Sequence, residues 1–127
     1  MRKQYYFRPS PRGLLAWDVD RLIEQSRQLP RRLVPLSHIR ELDQEWSRND
    51  ERPTWRAFAT HMRLIHDADL AYSIILSADG AVMDGMHRVV KALLEGREHI
   101  EAVQFDRDPE ADHIGKGPSD LPYENVS

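Results

Sequence analysis

The sequence contains no cysteine, which excludes disulfide bonds and thiolate metal sites. No apolar run approaches the roughly 18 residues that a membrane helix requires, and no signal peptide is recognisable. The formal net charge is −3, so the chain lacks the basic excess with which proteins coat nucleic acids. These absences favour a cytoplasmic protein that has no membrane partner and is not a bulk nucleic-acid binder.

What the chain does contain is ordinary for a globular domain, because 40% of its 127 residues are hydrophobic and 31% are charged. We expect one domain over residues 1–127, with a core at about 32–105, a basic N-terminal arm at 1–13 and a C-terminal tail at 106–127. In the arm, the aromatic residues 5–7 stand between the basic residues Arg2, Lys3, Arg8 and Arg12. Contact with a nucleic acid or an acidic partner is therefore an alternative to packing of the arm on its own domain.

The stretch at residues 81–96 predicts a short strand, a glycine turn and a helix. Gly85 allows a sharp turn before the helix, and Gly96 predicts its end. Apolar residues recur at helical spacing and predict a face that packs on the sheet: Met86, Val89, Val90, Leu93 and Leu94. His87 and Arg88 lie off that face, so we expect both to point to solvent or to a ligand.

The start of this helix suits an anion, because its first amides lack intrahelical acceptors and lie at the positive end of the helix dipole. Arg88 would add a cation with five donors, and His87 a group that exchanges protons near neutral pH. Asp84 could cap the helix, bind a metal ion that accompanies phosphates, or act as a base. The alternative is a capping Asp84 beside a solvated face of His87 and Arg88.

Three further helices are predicted by an N-cap residue followed by apolar residues at helical spacing. Their N-caps are Asp18, Ser37 and Thr54, and they would end near Gln28, Trp46 and His66. A polar linker is predicted at 47–53. In the third helix the apolar residues predict a face that packs on the core: Trp55, Phe58, Ala59, Met62 and Ile65.

Apolar runs predict strands at 31–36, 72–77 and 99–105. The dipeptide Asp79-Gly80 predicts a hairpin that joins the second of these strands to the strand of the glycine turn. The expected fold class is therefore α/β or α+β, a small mixed sheet packed by helices. The sheet should contain the segments near Val34, Ile75, Val82 and Val103.

The sequence Asp84-Gly85-Met86-His87-Arg88, after a hairpin and at the start of a helix, resembles the signature of the ParB/sulfiredoxin-like fold family. The resemblance covers about residues 32–105 and is specific over 72–105. Its Asp-Gly-x-His-Arg form is similar to that of free-serine kinases. Sulfiredoxins carry a cysteine at the position of Met86, so sulfinic acid reduction is excluded. ParB partition proteins, which bind CTP, are similar only in outline and continue into a DNA-binding domain.

The resemblance implies a nucleotide-binding protein that holds phosphates at Gly85, Met86, His87 and Arg88. ATP or CTP is the implied cofactor, and a magnesium ion on Asp84 would accompany it. Because Arg88 is expected at an exposed helix position, its replacement by alanine should weaken phosphate binding and leave the fold unchanged.

If the chain is an enzyme, the resemblance implies phosphotransfer or nucleotide hydrolysis, with Asp84, His87 and Glu41 as candidate catalytic residues. Glu41 lies in the region where the similar kinases carry a catalytic glutamate, and its alternative is a solvated helix glutamate. A second hypothesis, of a different class, is a non-catalytic regulatory or protein- or DNA-interaction module of the same fold. The nucleotide base, the acceptor and the oligomeric state stay open.

Overall fold

The structure, a computed structural model, describes residues 3–45 and 54–123. The strands are β1 (Tyr5–Arg8), β2 (Leu15–Asp18), β3 (Arg32–Pro35), β4 (Ile74–Leu76), β5 (Val82–Asp84), β6 (His99–Gln104) and β7 (His113–Ile114). The α-helices are α1 (Val19–Ser26), α2 (Trp55–Asp67) and α3 (Met86–Leu94). The expected α+β class is thereby confirmed.

The larger sheet has the strand order β3-β6-β4-β5. Strands β4 and β6 run parallel, whereas β3 with β6 and β4 with β5 are antiparallel, so the sheet is mixed as predicted. The predicted hairpin joins β4 to β5, where Gly80 has a φ of 90° and the Ser77 amide donates to the Ala81 carbonyl at 2.8 Å. All four expected segments lie in this sheet.

The core covers both faces of this sheet, because successive residues of a strand point to opposite sides. Ile74 and Leu76 of β4 pack in one cluster with Val89 of α3. Ile75, between them, packs in a second cluster with Trp17 and with Leu22 of α1. The sheet is thus sandwiched between α3 on one face and α1 with β2 on the other.

A smaller sheet of order β1-β2-β7 joins the N-terminal arm to the C-terminal tail. Tyr5 of the arm and Leu121 of the tail are buried in one cluster, so the arm packs on its own domain. No strand was expected in the tail, yet His113 and Ile114 form β7 and pair with β2. A strand of two residues has no periodicity by which it could be recognised.

The N-caps of α1 and α2 are confirmed: Asp18 accepts from the Asp20 amide at 2.9 Å, and Thr54 accepts from the Ala57 amide at 3.1 Å. The helix predicted after Ser37 is wrong. Two short 3-10 turns, at 36–38 and 40–43, take its place, and no side chain caps either. Between them, buried Ile39 has extended backbone angles that interrupt the helix. Trp46 and the predicted linker lie outside the described residues.

Two predicted helix faces are turned differently from expectation. In α2 the apolar residues do not pack on the core: Trp55 is 87% exposed and no residue of the helix is buried. In α3, Val89 is buried as predicted, but Leu93 is 51% exposed and Ala92 is buried in its place. Small Ala92 lets the helix backbone approach the sheet closely, which turns Leu93 outward.

We predict that Gly85→Ala destabilises the fold far more than Gly80→Ala. Both glycines have positive φ, which costs an alanine about 1–2 kcal/mol. A Cβ at Gly85 would also lie 2.6 Å from Ile74 Cγ2, whereas one at Gly80 would meet nothing within 4 Å. Overpacking adds about 1–3 kcal/mol. Chemical denaturation of both variants measures the difference, and equal losses would contradict it.

Candidate functional site

The glycine turn places the start of α3 at an open position on the protein. Gly85 is the N-cap with a φ of 111° and provides no side-chain cap. The first intrahelical bond runs from the Val89 amide to the Gly85 carbonyl at 3.0 Å, so the three amides before Val89 have no intrahelical acceptor. Asp84 therefore does not cap the helix, and of its three predicted roles the metal ligand and the base stay as predictions.

Arg88 is anchored and does not point freely into solvent. Its Nη1 donates to the Ser73 carbonyl at 2.9 Å, and its Nη2 donates to Asp84 Oδ2 at 2.8 Å. Only 16% of the Arg88 side chain and 18% of the Asp84 side chain are exposed. The expectation of an exposed Arg88 is wrong, because the residue one helical turn earlier is a carboxylate that draws the guanidinium back toward β4.

An open groove of about 670 Å³ lies at the start of α3. All five residues of the 84–88 turn line it. From the end of α1 and the loop beyond it, Arg27 and Arg31 also line the groove, and so does Tyr72, which is 66% exposed. The groove therefore combines uncapped amides, three arginines and an aromatic ring.

His87 lines the groove and lies against α2, with its ring centroid 5.7 Å from that of His61. Burial lowers the pKa of His87, the nearby His61 and Arg88 lower it further, and Asp84 opposes them. The imidazole is therefore predominantly neutral at physiological pH. It offers one donor and one acceptor to a ligand, and it can take up a proton.

Glu41 lies at the edge of the larger sheet, where its Oε2 accepts from the Val82 amide of β5 at 2.6 Å. Its Oε1 is buried and has no hydrogen-bond partner among the described residues. The alternative of a solvated helix glutamate is therefore wrong. Glu41 does not belong to the lining of the groove that contains Asp84 and His87, so the structure separates it from the other two candidates.

Several lining residues were not foreseen from the sequence, namely Arg27, Arg31, Ser73 and Tyr72. Arg27 stood in the first predicted helix and Arg31 at the start of the predicted strand 31–36, and neither position signals a ligand. Their presence in the groove results from packing of α1 against the sheet, and no local motif signals that packing. Tyr72 stood in a predicted strand, whereas β4 begins two residues later at Ile74.

Within residues 3–45 and 54–123, no three histidine or acidic side chains converge on a common metal position. The same part of the chain has no helix with the length and hydropathy needed to span a membrane. Comparisons of the chain with protein families, with characterised proteins and with solved structures find no match. The site is therefore interpreted from its geometry and chemistry.

Arg88→Ala is expected to lower the free energy of unfolding by about 1.5–3 kcal/mol. The substitution removes the charged donors from the Ser73 carbonyl and leaves the largely buried carboxylate of Asp84 unpaired. Arg97→Ala is the control, since the Arg97–Glu95 pair is 54% and 42% exposed and should contribute less than about 1 kcal/mol. Urea denaturation compares them, and an unchanged stability of Arg88→Ala would contradict the anchoring role.

The lowered pKa of His87 makes stability pH-dependent. The unfolded side chain takes up its proton near about pH 6.5, before the folded one does. Stability should therefore fall as the pH drops through that value, and the fall should end below the folded-state pKa. His87→Gln should lose less stability than the wild type over this range. Denaturation at a series of pH values measures this, and identical slopes would refute it.

Proposed function

We propose that the chain is a nucleotide-binding protein that holds the phosphates of ATP or CTP at the start of α3. The observation that carries this proposal is the uncapped turn at Gly85, whose free amides open on a groove of about 670 Å³. Phosphate oxygens accept hydrogen bonds from such amides, and the helix dipole favours their charge. The same turn carries the resemblance to nucleotide-binding proteins of the ParB/sulfiredoxin-like fold.

The groove is lined by three arginines and by two carboxylates, Asp69 and Asp84, so its charge balance supports an anionic ligand. Asp84 is paired with Arg88, so its charge is largely compensated within the protein. Arg31 pairs with Glu101 at 3.0 Å across an exposed contact, a weak bond that an incoming anion can replace. Arg27 is exposed at the end of α1. A phosphate at the α3 amides would therefore meet positive charge from more than one element.

The groove also suits the remainder of a nucleotide. The exposed ring of Tyr72 and the apolar side chains of Ile23 and Leu64 line it. A base can stack on an aromatic ring whatever its identity, so these residues would hold the base without selecting it. This arrangement supports a nucleotide over free phosphate.

Turnover would need few further groups, because phosphoryl transfer depends on positioning and on neutralisation of developing charge. His87, as a neutral imidazole, would accept the proton of an attacking hydroxyl or water. Asp84 has Oδ2 engaged by Arg88, which leaves Oδ1 as an oxygen ligand for magnesium. A single carboxylate fits a magnesium ion that is held mainly by phosphates and water, and such an ion would neutralise phosphate charge.

The second candidate function is the regulatory or protein-interaction module. The exposed apolar residues of α2 favour it, since Trp55 is 87% and Met62 is 55% exposed. An enzyme consumes nucleotide when the right acceptor is present, whereas a module binds it without turnover or does not bind it. Nucleotide consumption assays separate the two.

His87→Asp should strongly weaken nucleotide binding while preserving the fold. A carboxylate in the first turn of α3 is favourable to the helix dipole but repels a phosphate by about 3–4 kcal/mol at close range. Affinity should fall by about a hundredfold or more. His87→Asn, which is neutral and of equal size, should bind far better than His87→Asp. Calorimetric titration with ATP and CTP, with and without magnesium, measures this, and equal affinities of the two variants would remove the phosphate site from this turn.

A further inference from the structure

Glu101 of β6 accepts hydrogen bonds from two residues that line the groove. Its Oε1 lies 3.0 Å from Arg31 Nη1 and 3.0 Å from Ser73 Oγ, and both partners belong to the lining. Because successive residues of a strand alternate between faces, Glu101 lies on the same face of β6 as Val103, another lining residue. One carboxylate oxygen at the groove thus holds an arginine on which an anionic ligand would also draw.

The bond to Ser73 relates Arg31 to the first turn of α3. The Ser73 carbonyl accepts from Arg88 Nη1 at 2.9 Å, so Arg31 is connected to that turn through Glu101, Ser73 and Arg88. Arg88 is itself committed to Ser73 and Asp84. A guanidinium has five donors, and the pair with Glu101 uses one donor of Arg31. Arg31 is therefore an arginine of this wall that can still bind a ligand.

The Arg31–Glu101 pair is weak enough to exchange. The Arg31 side chain is 64% exposed and that of Glu101 is 38% exposed, and exposed pairs contribute little to stability. A phosphate group carries more charge than a carboxylate and matches the guanidinium with two parallel hydrogen bonds. A nucleoside monophosphate that binds at the α3 amides has no second phosphate for Arg31. A triphosphate does have one, so it can displace Glu101.

We propose that Arg31 and Glu101 make the groove select nucleotides by their number of phosphates. Glu101 occupies Arg31 in the ligand-free protein, and Arg31 exchanges it for an outer phosphate of a nucleoside triphosphate. Glu101 keeps its bond to Ser73 throughout. This selection rests on the proposed function, because it requires another phosphate of the same ligand at the start of α3. Glu101 is thus a competitor of the ligand, so removal of its charge strengthens binding.

Calorimetric titration with ATP and AMP, and with CTP and CMP, tests the role of Arg31. Arg31→Ala should lower the affinity for the triphosphates by about tenfold, because it removes a charge-assisted contact. The affinity for the monophosphates should change far less. The ratio of the two affinities should therefore fall, which a general loss of stability or of groove shape would not produce. Melting curves check that each variant is folded.

Glu101→Gln tests the competition. Glutamine has the same size, and its amide oxygen still accepts from Ser73, so the variant keeps that contact without the negative charge. Release of an exposed ion pair should raise triphosphate affinity by about two- to fivefold. The gain should vanish when Arg31→Ala is also present. Glu95→Gln is the matched control, because Glu95 forms a similarly exposed pair with Arg97, and its triphosphate affinity should equal that of the wild type.

Each contrary result has a separate meaning. An unchanged ratio of triphosphate to monophosphate affinity in Arg31→Ala would overturn the role of Arg31. Equal or weaker triphosphate binding by Glu101→Gln would overturn the competition, as would a gain that persists in the double variant, since that gain would come from general charge. A wild type that binds none of the four nucleotides would overturn the proposed function itself, and it is recognised before any variant is compared.

Discussion

The architecture around the groove depends on one charged contact, the bond of the Arg88 guanidinium to Asp84 and to the Ser73 carbonyl. It ties the end of β5, the residue before β4 and the first turn of α3 to one planar group. Removing any partner would leave a charge or a carbonyl unpaired at a site that is mostly shielded from water. Gly85 makes the contact sterically feasible, since a Cβ there would lie 3.1 Å from Arg88 Nη2.

The same contact changes what the turn can offer to a ligand. Arg88 is committed to the protein, so the positive character of the groove entrance comes chiefly from backbone amides and from Arg27. Backbone donors are held rigidly by α3 and need no reorganisation when an anion arrives. His87 is kept neutral by burial beside His61, which retains its capacity to accept a proton. An anion at this site would therefore be held mainly by fixed backbone amides, and less by charged side chains that must move to reach it.

Local signals in the sequence were sufficient for much of this fold. Asp18 and Thr54 cap helices because capping involves only residues two or three positions away, and Asp79-Gly80 forms its turn for the same reason. The prediction of a helix after Ser37 was wrong because Ile39 is buried in the core, which is a tertiary effect. The exposure of Arg88 was misjudged although Asp84 stands four residues before it, because its second acceptor, the Ser73 carbonyl, lies 15 residues away in sequence.

The turn at Gly85 was correctly located from sequence, but the remainder of the groove was not. Its other walls come from α1 and from the segment before β4. Whether these walls lie close to the turn depends on which face each helix packs against the sheet. Periodicity identifies the residues that share a face of α2, but it does not say whether that face meets the core or solvent. Only the packing of α2 on α3 decides that Trp55 points outward.

The smaller sheet has a consequence for the order in which the chain folds. Strands β1 and β2 are close in sequence and can pair early, whereas the Asp18 amide reaches its acceptor Asp112 across 94 residues. Closing so large a loop is entropically unfavourable until the larger sheet has already brought its ends together. Strand β7 therefore docks late on a nearly finished domain. For the same reason it opens first in the native state, and its amides should exchange with solvent before those of β4 and β6.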